Sequence, residues 1–265
     1  MYSVTYHRAS SVAEAAKMAE AGEAKYLAGG MTLIPTMKAR LAAPSDLVDI
    51  SRIDALRDIT VSGREVTIGA ATTHAEVAGN AALKAVCPAL AHLASHIGDP
   101  HVRHKGTIGG SIANNDPAAD YPAAMLALDA TIVTNSREIA AAEFFTGLFE
   151  TALEPSEIVT AVRFTAPAKS GYAKFPNPAS RYAITGVFVA KDDDGVRVAV
   201  TGAGENGVFR SPEIEAALSG NFDASALADV TVPADGLMSD LHASAEYRAN
   251  LVVVMAKRAV AAANG

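Results

Sequence analysis

The chain has 265 residues, half of them hydrophobic, and a formal net charge of −7 at pH 7. This length allows one large domain or two modest ones with a sizeable core, and the hydrophobic content excludes a disordered chain. The negative charge argues against nucleic acid and anionic membrane surfaces as partners. The single cysteine, Cys87, excludes a disulfide framework or an internal iron–sulfur site and fits a cytoplasmic location.

The first fifty residues predict a small parallel α/β unit. Ser11 and Glu14 have the spacing of a helical capping box. Thr32 is placed to cap a second helix, with Pro35 in its first turn. The predicted elements are a helix over residues 11–22, a strand over residues 25–28, a helix over residues 32–43 and a strand over residues 46–50.

The next segment, residues 54–165, predicts a mainly antiparallel sheet with helices. Ser62 and Gly63 separate two alternating runs and indicate a hairpin. The predicted strands cover residues 57–61, 65–70, 131–134, 138–140 and 158–164, and the predicted helices cover residues 73–78, 88–97 and 123–128. The apolar run at residues 251–255, near the other end of the chain, is too short to span a membrane.

A boundary is predicted over residues 165–171, where apolar periodicity lapses and proline and glycine appear. Beyond it, strands over residues 182–190 and 196–201 flank an acidic turn, and helices begin at Ser211 and Ser244. The aspartates of that turn lack the spacing of a calcium loop. The predicted fold class is α+β, with one domain over residues 1–165 (subdomains about 1–53 and 54–165) and a C-terminal α+β domain over residues 172–265.

The first of two glycine-rich turns follows the strand over residues 25–28. Gly29 and Gly30 allow positive φ and remove the Cβ atoms that would keep a ligand away. A strand, a Gly–Gly turn and a helix start together favour an anion site, although a plain tight turn is the alternative. Ile34, Met37 and Leu41 predict one buried face of the helix. We call residues 27–33 the first cradle.

The second turn has the sequence Thr-Ile-Gly-Gly-Ser over residues 107–111. Its paired glycines are flanked by hydroxyl groups, which can donate to phosphate oxygens. Asp120 can accept hydrogen bonds from ribityl or ribose hydroxyls, or cap the following helix, or both. We call residues 107–113 the second cradle and expect both cradles to hold one anionic ligand.

Other patterns carry no chemistry. His92, His96, His101 and His104 have metal-like spacing but no carboxylate or third ligand in pattern, so we predict no metal site. Residues 101–105 are interpreted as a basic rim beside the phosphates. The chain contains no Gly-x-Gly-x-x-Gly turn, P-loop or Gly-x-Ser-x-Gly elbow, so no catalytic residue is predicted.

The two cradles, followed by Asp-Pro-Ala-Ala-Asp at residues 116–120, resemble the FAD-binding medium subunit of molybdenum hydroxylases. The resemblance runs from Tyr2 to the last helix and is closest to the carbon monoxide dehydrogenase medium-subunit type. It implies a two-subdomain FAD-binding fold. Relatives often have histidine where Met31 stands, but backbone N–H groups do the binding at this turn, so we expect FAD to bind here as well. Flavoproteins of this fold with covalent flavin carry histidine or cysteine at the cradle, so Met31 implies non-covalent attachment.

The resemblance also implies which residues contact FAD. Lys174 would lie near the isoalloxazine ring and Tyr182 beside it, although an exposed strand lysine and a buried tyrosine are the simpler interpretations. Ile158 and Val159 would face the ring but would be buried in any sheet. The full expected set is Leu27, Ala28, Gly29, Gly30, Met31, Thr32, Leu33, Thr107, Gly109, Gly110, Ser111, Ala113, Asp120, Ile158, Val159, Lys174 and Tyr182.

The implied function is that of a subunit rather than of a complete enzyme. The chain would carry FAD and pass electrons from the [2Fe–2S] clusters of a small partner subunit to an external acceptor. A large partner subunit would hold the molybdopterin cofactor, in a dimer of heterotrimers. Two alternatives stay open: a stand-alone non-covalent FAD oxidoreductase of the same fold, and a flavin-free scaffold protein.

Overall fold

The structure is a computed structural model that describes residues 1–20 and 22–265. Its first part is a three-stranded sheet in the order β1–β3–β2, in which both strand pairs are parallel. Its elements are β1 (Thr5–Arg8), α1 (Val12–Ala19), β2 (Ala24–Leu27), α2 (Leu33–Lys38) and β3 (Asp46–Asp49). The predicted parallel unit is confirmed, and β1 is an additional strand.

The first helix departs from its predicted ends. Ser11 accepts a bond from the N–H of Glu14 at 3.2 Å, but the Glu14 carboxylate bonds to the N–H and hydroxyl of Ser10 instead of Ser11. Only half of the capping box therefore forms. The helix ends at Ala19, short of Gly22, which takes a φ of +72°.

The predicted apolar face of α2 is partly wrong. Met37 is buried, as expected. The helix ends at Lys38, and Arg40 then takes a φ of +61°, which turns the chain out of the helix. Leu41 is consequently 81% exposed rather than buried.

The middle part is built on a five-stranded antiparallel sheet in the order β4–β5–β10–β6–β7. Its elements are β4 (Ile59–Ser62), β5 (Glu65–Gly69), α3 (His74–Gly79), α4 (Ala81–Val86), α5 (Pro88–Ser95), α6 (Pro100–Arg103), α7 (Ile108–Asn114), α8 (Tyr121–Ala127), β6 (Thr131–Thr134), β7 (Glu138–Ala140), α9 (Ala141–Phe144), β8 (Phe145–Gly147), β9 (Glu150–Thr151) and β10 (Val159–Thr165). The predicted hairpin and antiparallel sheet are confirmed. The short helices α4, α6, α7 and α9 and the strands β8 and β9 are additional.

The last part is a four-stranded antiparallel sheet in the order β11–β12–β13–β14 with two helices. Its elements are β11 (Lys169–Pro176), β12 (Ala183–Asp192), β13 (Gly195–Thr201), β14 (Phe209–Arg210), α10 (Pro212–Gly220) and α11 (Ala245–Asn264). A Cβ on Gly171 would overlap the carbonyl oxygen of Ala259, so β11 and α11 touch backbone to backbone. Strand β11 begins at Lys169, inside the boundary predicted over residues 165–171, so only residues 166–168 connect it to β10. The division into domains stays a prediction.

Two large hydrophobic clusters hold the middle and last parts of the chain together, and the parallel unit has a smaller cluster of its own. The first is packed around β5, β10, α5 and α8, and it extends to Tyr172 and Phe188 of the four-stranded sheet. The second lies between that sheet and helices α10 and α11, with Val187 and Val252 among its fully buried members. The predicted α+β class is confirmed. Among the described residues, no helix is long and apolar enough to cross a membrane.

Candidate functional site

The two cradles border one cleft of about 990 Å³. Residues of the parallel unit, of α7 and of the segment leading into β10 line it together. A Cβ on Gly29 would overlap the carbonyl oxygen of Lys105 and lie 2.8 Å from Cα of Gly106. Gly29 is therefore required because the backbone of the first cradle touches the backbone that leads into the second.

The first cradle presents unused backbone donors to this cleft. Among the described residues, no protein acceptor pairs with the N–H groups of residues 29–33. All five of these residues line the cleft. Gly30 takes a φ of +71°, which sustains the sharp turn after β2. Successive free N–H groups next to a helix start form a concave site for an anion.

Thr32 does not cap α2 with its side chain, so that prediction is wrong. Its backbone is helical, with φ −102° and ψ −52°, whereas a capping residue is usually extended. Ile34 donates its N–H to the carbonyl of Gly30, and this bond begins the helix.

The second cradle is different because the N–H groups of residues 108–110 already have partners. Ile108 donates to the carbonyl of Thr72, and Gly109 donates to the carbonyl of Ala70 at 2.9 Å. Gly110 donates to Oγ1 of Thr107 at 3.1 Å. This cradle therefore offers its hydroxyl groups, and the Ser111 hydroxyl makes no hydrogen bond within the described residues.

The paired glycines of the second cradle have separate roles. A Cβ on Gly109 would lie 2.5 Å from Cβ of Ala70, so Gly109 allows α7 to pack against the end of β5. A Cβ on Gly110 would meet only Oγ1 of Thr107, at 2.9 Å. Gly110 is exposed and faces open space in the cleft wall.

Asp120 lies in the cleft wall as part of a buried polar group. It is 3% exposed, and it accepts hydrogen bonds from Lys174 Nζ and from the Tyr172 hydroxyl. The closest Lys174–Asp120 distance is 2.9 Å. Burial raises the pKa of the Asp120 carboxyl, while the Lys174 charge and both hydrogen bonds oppose the rise. The alternative capping role is excluded, because Asp120 is helical and makes no cap bond.

Lys174 and Leu27 do not line the cleft, although both were expected to contact the ligand. The Lys174 side chain, 5% exposed, lies behind Asp120 and lines a neighbouring cavity instead, because its ammonium group pairs with that carboxylate. Leu27 packs beneath the turn, and its Cδ1 would lie 3.0 Å from a Cβ on Gly30. Both side chains support the cleft wall from behind.

The other fifteen expected residues line the cleft. Tyr182 lies on the loop between β11 and β12 and is 44% exposed. Burial, followed by the nearby charges of Asp116 and Asp120, raises the pKa of its hydroxyl. Ile158 and Val159 enter the cleft at the start of β10 but also belong to hydrophobic clusters.

His74 lines the cleft and was missed in the sequence. It is 4% exposed, and its Nδ1 has no hydrogen-bond partner within the described residues. Burial, assisted by the charge of Arg103, lowers the pKa of His74 to about 4, so the ring is neutral. Its Nε2 would lie 2.6 Å from a Cβ on Gly106. The available signal was its position directly after Thr73, the residue that caps α3.

Phe149 and Asp116 also line the cleft and were not selected as ligand contacts. Phe149 is 59% exposed with a φ of +56°. Burial raises the pKa of Asp116. Asp116 stands in the motif that carries the resemblance, whereas no sequence signal marks Phe149.

The basic rim predicted over residues 101–105 stays a prediction. Of these residues, Val102 lines the cleft and the charged ones do not. Arg103 instead donates to the carbonyls of Ile97 and Gly98, at 3.0 Å each. In the part of the chain that the structure describes, no three His, Cys, Asp or Glu side chains are grouped to hold a metal ion.

A run of free backbone donors beside a long cleft lined by polar and apolar residues suits a dinucleotide with a central pyrophosphate. Residues 2–167 match the family described as the FAD binding domain in molybdopterin dehydrogenase. The chain therefore belongs to this family of FAD-binding oxidoreductase subunits, and FAD is its cofactor.

Individual relatives are similar over almost the whole length. The carbon monoxide dehydrogenase medium chain of Afipia carboxidovorans is 38% identical, over 97% of this chain and 96% of that relative. The nicotine 6-hydroxylase medium subunit of Paenarthrobacter nicotinovorans is 32% identical, over the same shares. Reconstituted CO dehydrogenase from Oligotropha carboxidovorans has the same fold, with a TM-score of 0.89 at 34% identity, over 99% of this chain and 98% of that chain. The sequence-based resemblance is confirmed.

Proposed function

We propose that this chain is the flavin-carrying medium subunit of a molybdenum hydroxylase complex, which passes electrons from [2Fe–2S] clusters of a partner subunit to an external acceptor. The observation that carries the proposal is the run of free N–H groups at residues 29–33, in a cleft that both cradles share. Such donors favour a pyrophosphate at this position. Bound flavin would accept single electrons and deliver a pair.

The chain's residues would divide the work of holding the cofactor. The N–H groups of residues 29–33 bind the pyrophosphate, with the hydroxyl groups of Thr107 and Ser111 on its other side. Asp120, oriented by Tyr172 and Lys174, keeps lone pairs for a ribityl or ribose hydroxyl. Tyr182, Ile158 and Val159 provide the apolar surface for the ring.

The expected partners are a small [2Fe–2S] subunit and a large molybdopterin subunit, assembled as a dimer of heterotrimers in the cytoplasm. Full-length similarity to chains named medium chain or medium subunit supports this assignment. Relatives of comparable identity are named for carbon monoxide and for nicotine. We therefore infer that the substrate is selected on another subunit, and not by this chain.

The test is anaerobic mixing of the FAD-loaded chain with candidate aromatic and aldehyde substrates, followed through the flavin absorption band. We expect no bleaching with the chain alone and rapid bleaching once the two partner proteins are added. Bleaching without partners would overturn the subunit assignment and favour a self-contained FAD oxidoreductase. A colourless protein that also fails to take up added FAD would favour a flavin-free scaffold.

The mode of attachment has its own test. Met31, 37% exposed in the first cradle, has a thioether that forms no stable flavin linkage, so FAD is expected to be non-covalent. Acid precipitation should release the flavin into the supernatant. Yellow colour that stays in the washed pellet would contradict this expectation.

A further inference from the structure

A second cavity, of about 620 Å³, lies beside the flavin cleft. It is bounded by α5, the segment before α6, strand β11 with the loop that follows it, and α11. Its volume is in the range typical of small-molecule sites. Three arginines, one lysine and two histidines line it: Arg103, Arg181, Arg258, Lys174, His92 and His96. Burial, followed by the charge of His96, lowers the pKa of His92, so the charge of the cavity comes from the arginines and the lysine. We call it the basic cavity.

The charge of this cavity is opposite to that of the protein. The whole chain has 29 acidic and 22 basic residues apart from histidine. Among the described residues that line the basic cavity, none is Asp or Glu. A concave surface that collects cations on an acidic protein raises the local concentration of anions.

The arginines of the cavity are not neutralised by carboxylates. Within residues 1–20 and 22–265, no carboxylate oxygen lies within 4 Å of the guanidinium groups of Arg103, Arg181 or Arg258. Arg103 and Arg181 donate instead to the backbone carbonyl of Gly98, at 3.0 and 3.3 Å. Each guanidinium has five N–H groups, so both keep donors for another acceptor. Lys174 differs, since Asp120 pairs with it.

The basic cavity is distinct from the flavin cleft, although the two are neighbours. Lys174 lines the cavity, while its partner Asp120 lines the cleft, so this ion pair stands between them. Gly98 and Arg181 border both spaces. Arg258 and Ala262, on α11, border the basic cavity and not the cleft. The α11 wall can therefore be altered without touching the flavin contacts.

We propose that the basic cavity binds a small phosphorylated molecule through Arg258, Arg181, His92 of α5 and His96, which directly follows α5. A phosphoryl group carries a charge of roughly −1.5 to −2 at pH 7 and three strong acceptor oxygens, which suits several cations converging without a carboxylate. Arginine binds phosphate in a bidentate fork. The remaining volume, bordered by proline and alanine side chains, accepts the organic part of the ligand.

The experiment titrates the FAD-loaded full chain with inorganic pyrophosphate by calorimetry, at an ionic strength held constant with sodium chloride. We expect one site per chain. Arg258→Gln should raise Kd about tenfold, because one charge-assisted hydrogen bond is lost. Ala262→Phe should weaken binding by narrowing the cavity at its α11 wall without changing its charge. Lys257→Gln is the matched control, since it removes the same charge from α11 at a residue that does not line the cavity. It should bind like the wild type.

Several outcomes would overturn the proposal. Equal weakening by Lys257→Gln and Arg258→Gln would show non-specific attraction. Tighter binding of malonate than of pyrophosphate would reject the phosphoryl class. Flavin absorbance is recorded throughout the titration. Release of flavin would show that the anion binds in the flavin cleft rather than in the basic cavity. Binding to the isolated chain that is lost in the assembled complex would assign the cavity to an acidic group of a partner subunit.

Discussion

The two cradles carry the same pair of glycines, and in both the first glycine allows close packing, but the cradles use their N–H groups in different ways. In the first, Gly30 turns the backbone and the N–H groups of residues 29–33 keep their donors unused. In the second, Gly109 serves close packing on Ala70, and its N–H is bonded there. Only Gly110 remains open to the ligand. A Gly–Gly pair therefore indicates close approach, but it does not say whether a ligand or another part of the chain approaches.

The difference divides the cofactor contacts into two kinds. Contacts of the first cradle come from the backbone, so side-chain changes there should matter little unless they obstruct it. Contacts of the second cradle come from hydroxyl groups, which single substitutions remove. The two cradles can therefore be separated by experiment.

The largest effect is expected where the cradles touch. Gly29→Ala would place a Cβ into the carbonyl oxygen of Lys105, and backbone on both sides leaves little room to adjust. We expect flavin content close to zero and a Tm lower by about 5 °C, because overpacking of this kind costs about 2 kcal/mol. Flavin absorbance per protein and thermal unfolding of the apo-protein measure the two effects.

The matched control is Gly79→Ala, at the end of α3, where a Cβ would meet nothing within 4 Å. It should keep full flavin content and an unchanged or slightly higher Tm. Full flavin content in Gly29→Ala would contradict the contact between the cradles.

The next pair separates the two glycines of the second cradle. Gly110→Val points its side chain into the cleft, so FAD should bind more weakly by about tenfold or more, while the Tm of the apo-protein changes by less than about 2 °C. Gly109→Ala should do the reverse and lower the apo-protein Tm, because its Cβ would press on Ala70. Equal Tm losses in both variants would remove the distinction.

His74, beside the second cradle, should make the protein less stable as the pH falls. Its pKa is lowered to about 4 in the folded protein, so the unfolded chain takes up the proton first as the pH falls from about 6.5. The free energy of unfolding of the apo-protein should therefore fall by about 1.4 kcal/mol per pH unit between about pH 6 and pH 4.5 from this group.

Urea unfolding of the wild type and of His74→Gln at pH 7, 6 and 5 measures this contribution. The variant should show the flatter profile, because glutamine does not titrate. Parallel profiles would mean that His74 is protonated as readily in the folded protein as in the unfolded chain.

The smallest effect compares single side chains of the two cradles. Ser111→Ala removes one unpaired hydroxyl and should weaken FAD binding about fivefold, equivalent to about 1 kcal/mol. Met31→Ala should leave the affinity unchanged, because the N–H of residue 31 is retained. Fluorescence quenching during reconstitution of the apo-protein gives both dissociation constants, and a larger loss in Met31→Ala would reverse the assigned roles.

Much of the fold could be predicted from the sequence because its longest elements have clear periodicity. The hairpin at Gly63, the strands of the central sheet and the final helix were all predicted. Helices α4, α6, α7 and α9 were missed, since hydrophobic periodicity is only a weak signal in elements this short. Competition between neighbouring residues also decides which groups pair at a helix start. Ser10, for example, donates to the Glu14 carboxylate that was expected to bind Ser11.

The candidate site was predictable where its signal lies in the local sequence. Both cradles were found from their glycines and hydroxyl groups. The pairing of Asp120 with Lys174 was not predicted, since 54 residues separate them and no local pattern connects them. Nor does the sequence show that the N–H of Gly109 would be taken by Ala70. These facts depend on long-range packing.

The first hydrophobic cluster has a consequence for how the protein unfolds. It runs from the central sheet to Tyr172 and Phe188, and the Tyr172 hydroxyl reaches Asp120 in the wall of the flavin cleft. Apolar packing across the connection between the sheets couples their melting. Heating should then produce a single calorimetric transition for the central and C-terminal sheets, and added FAD should shift that transition as one peak, including the part formed by the C-terminal sheet.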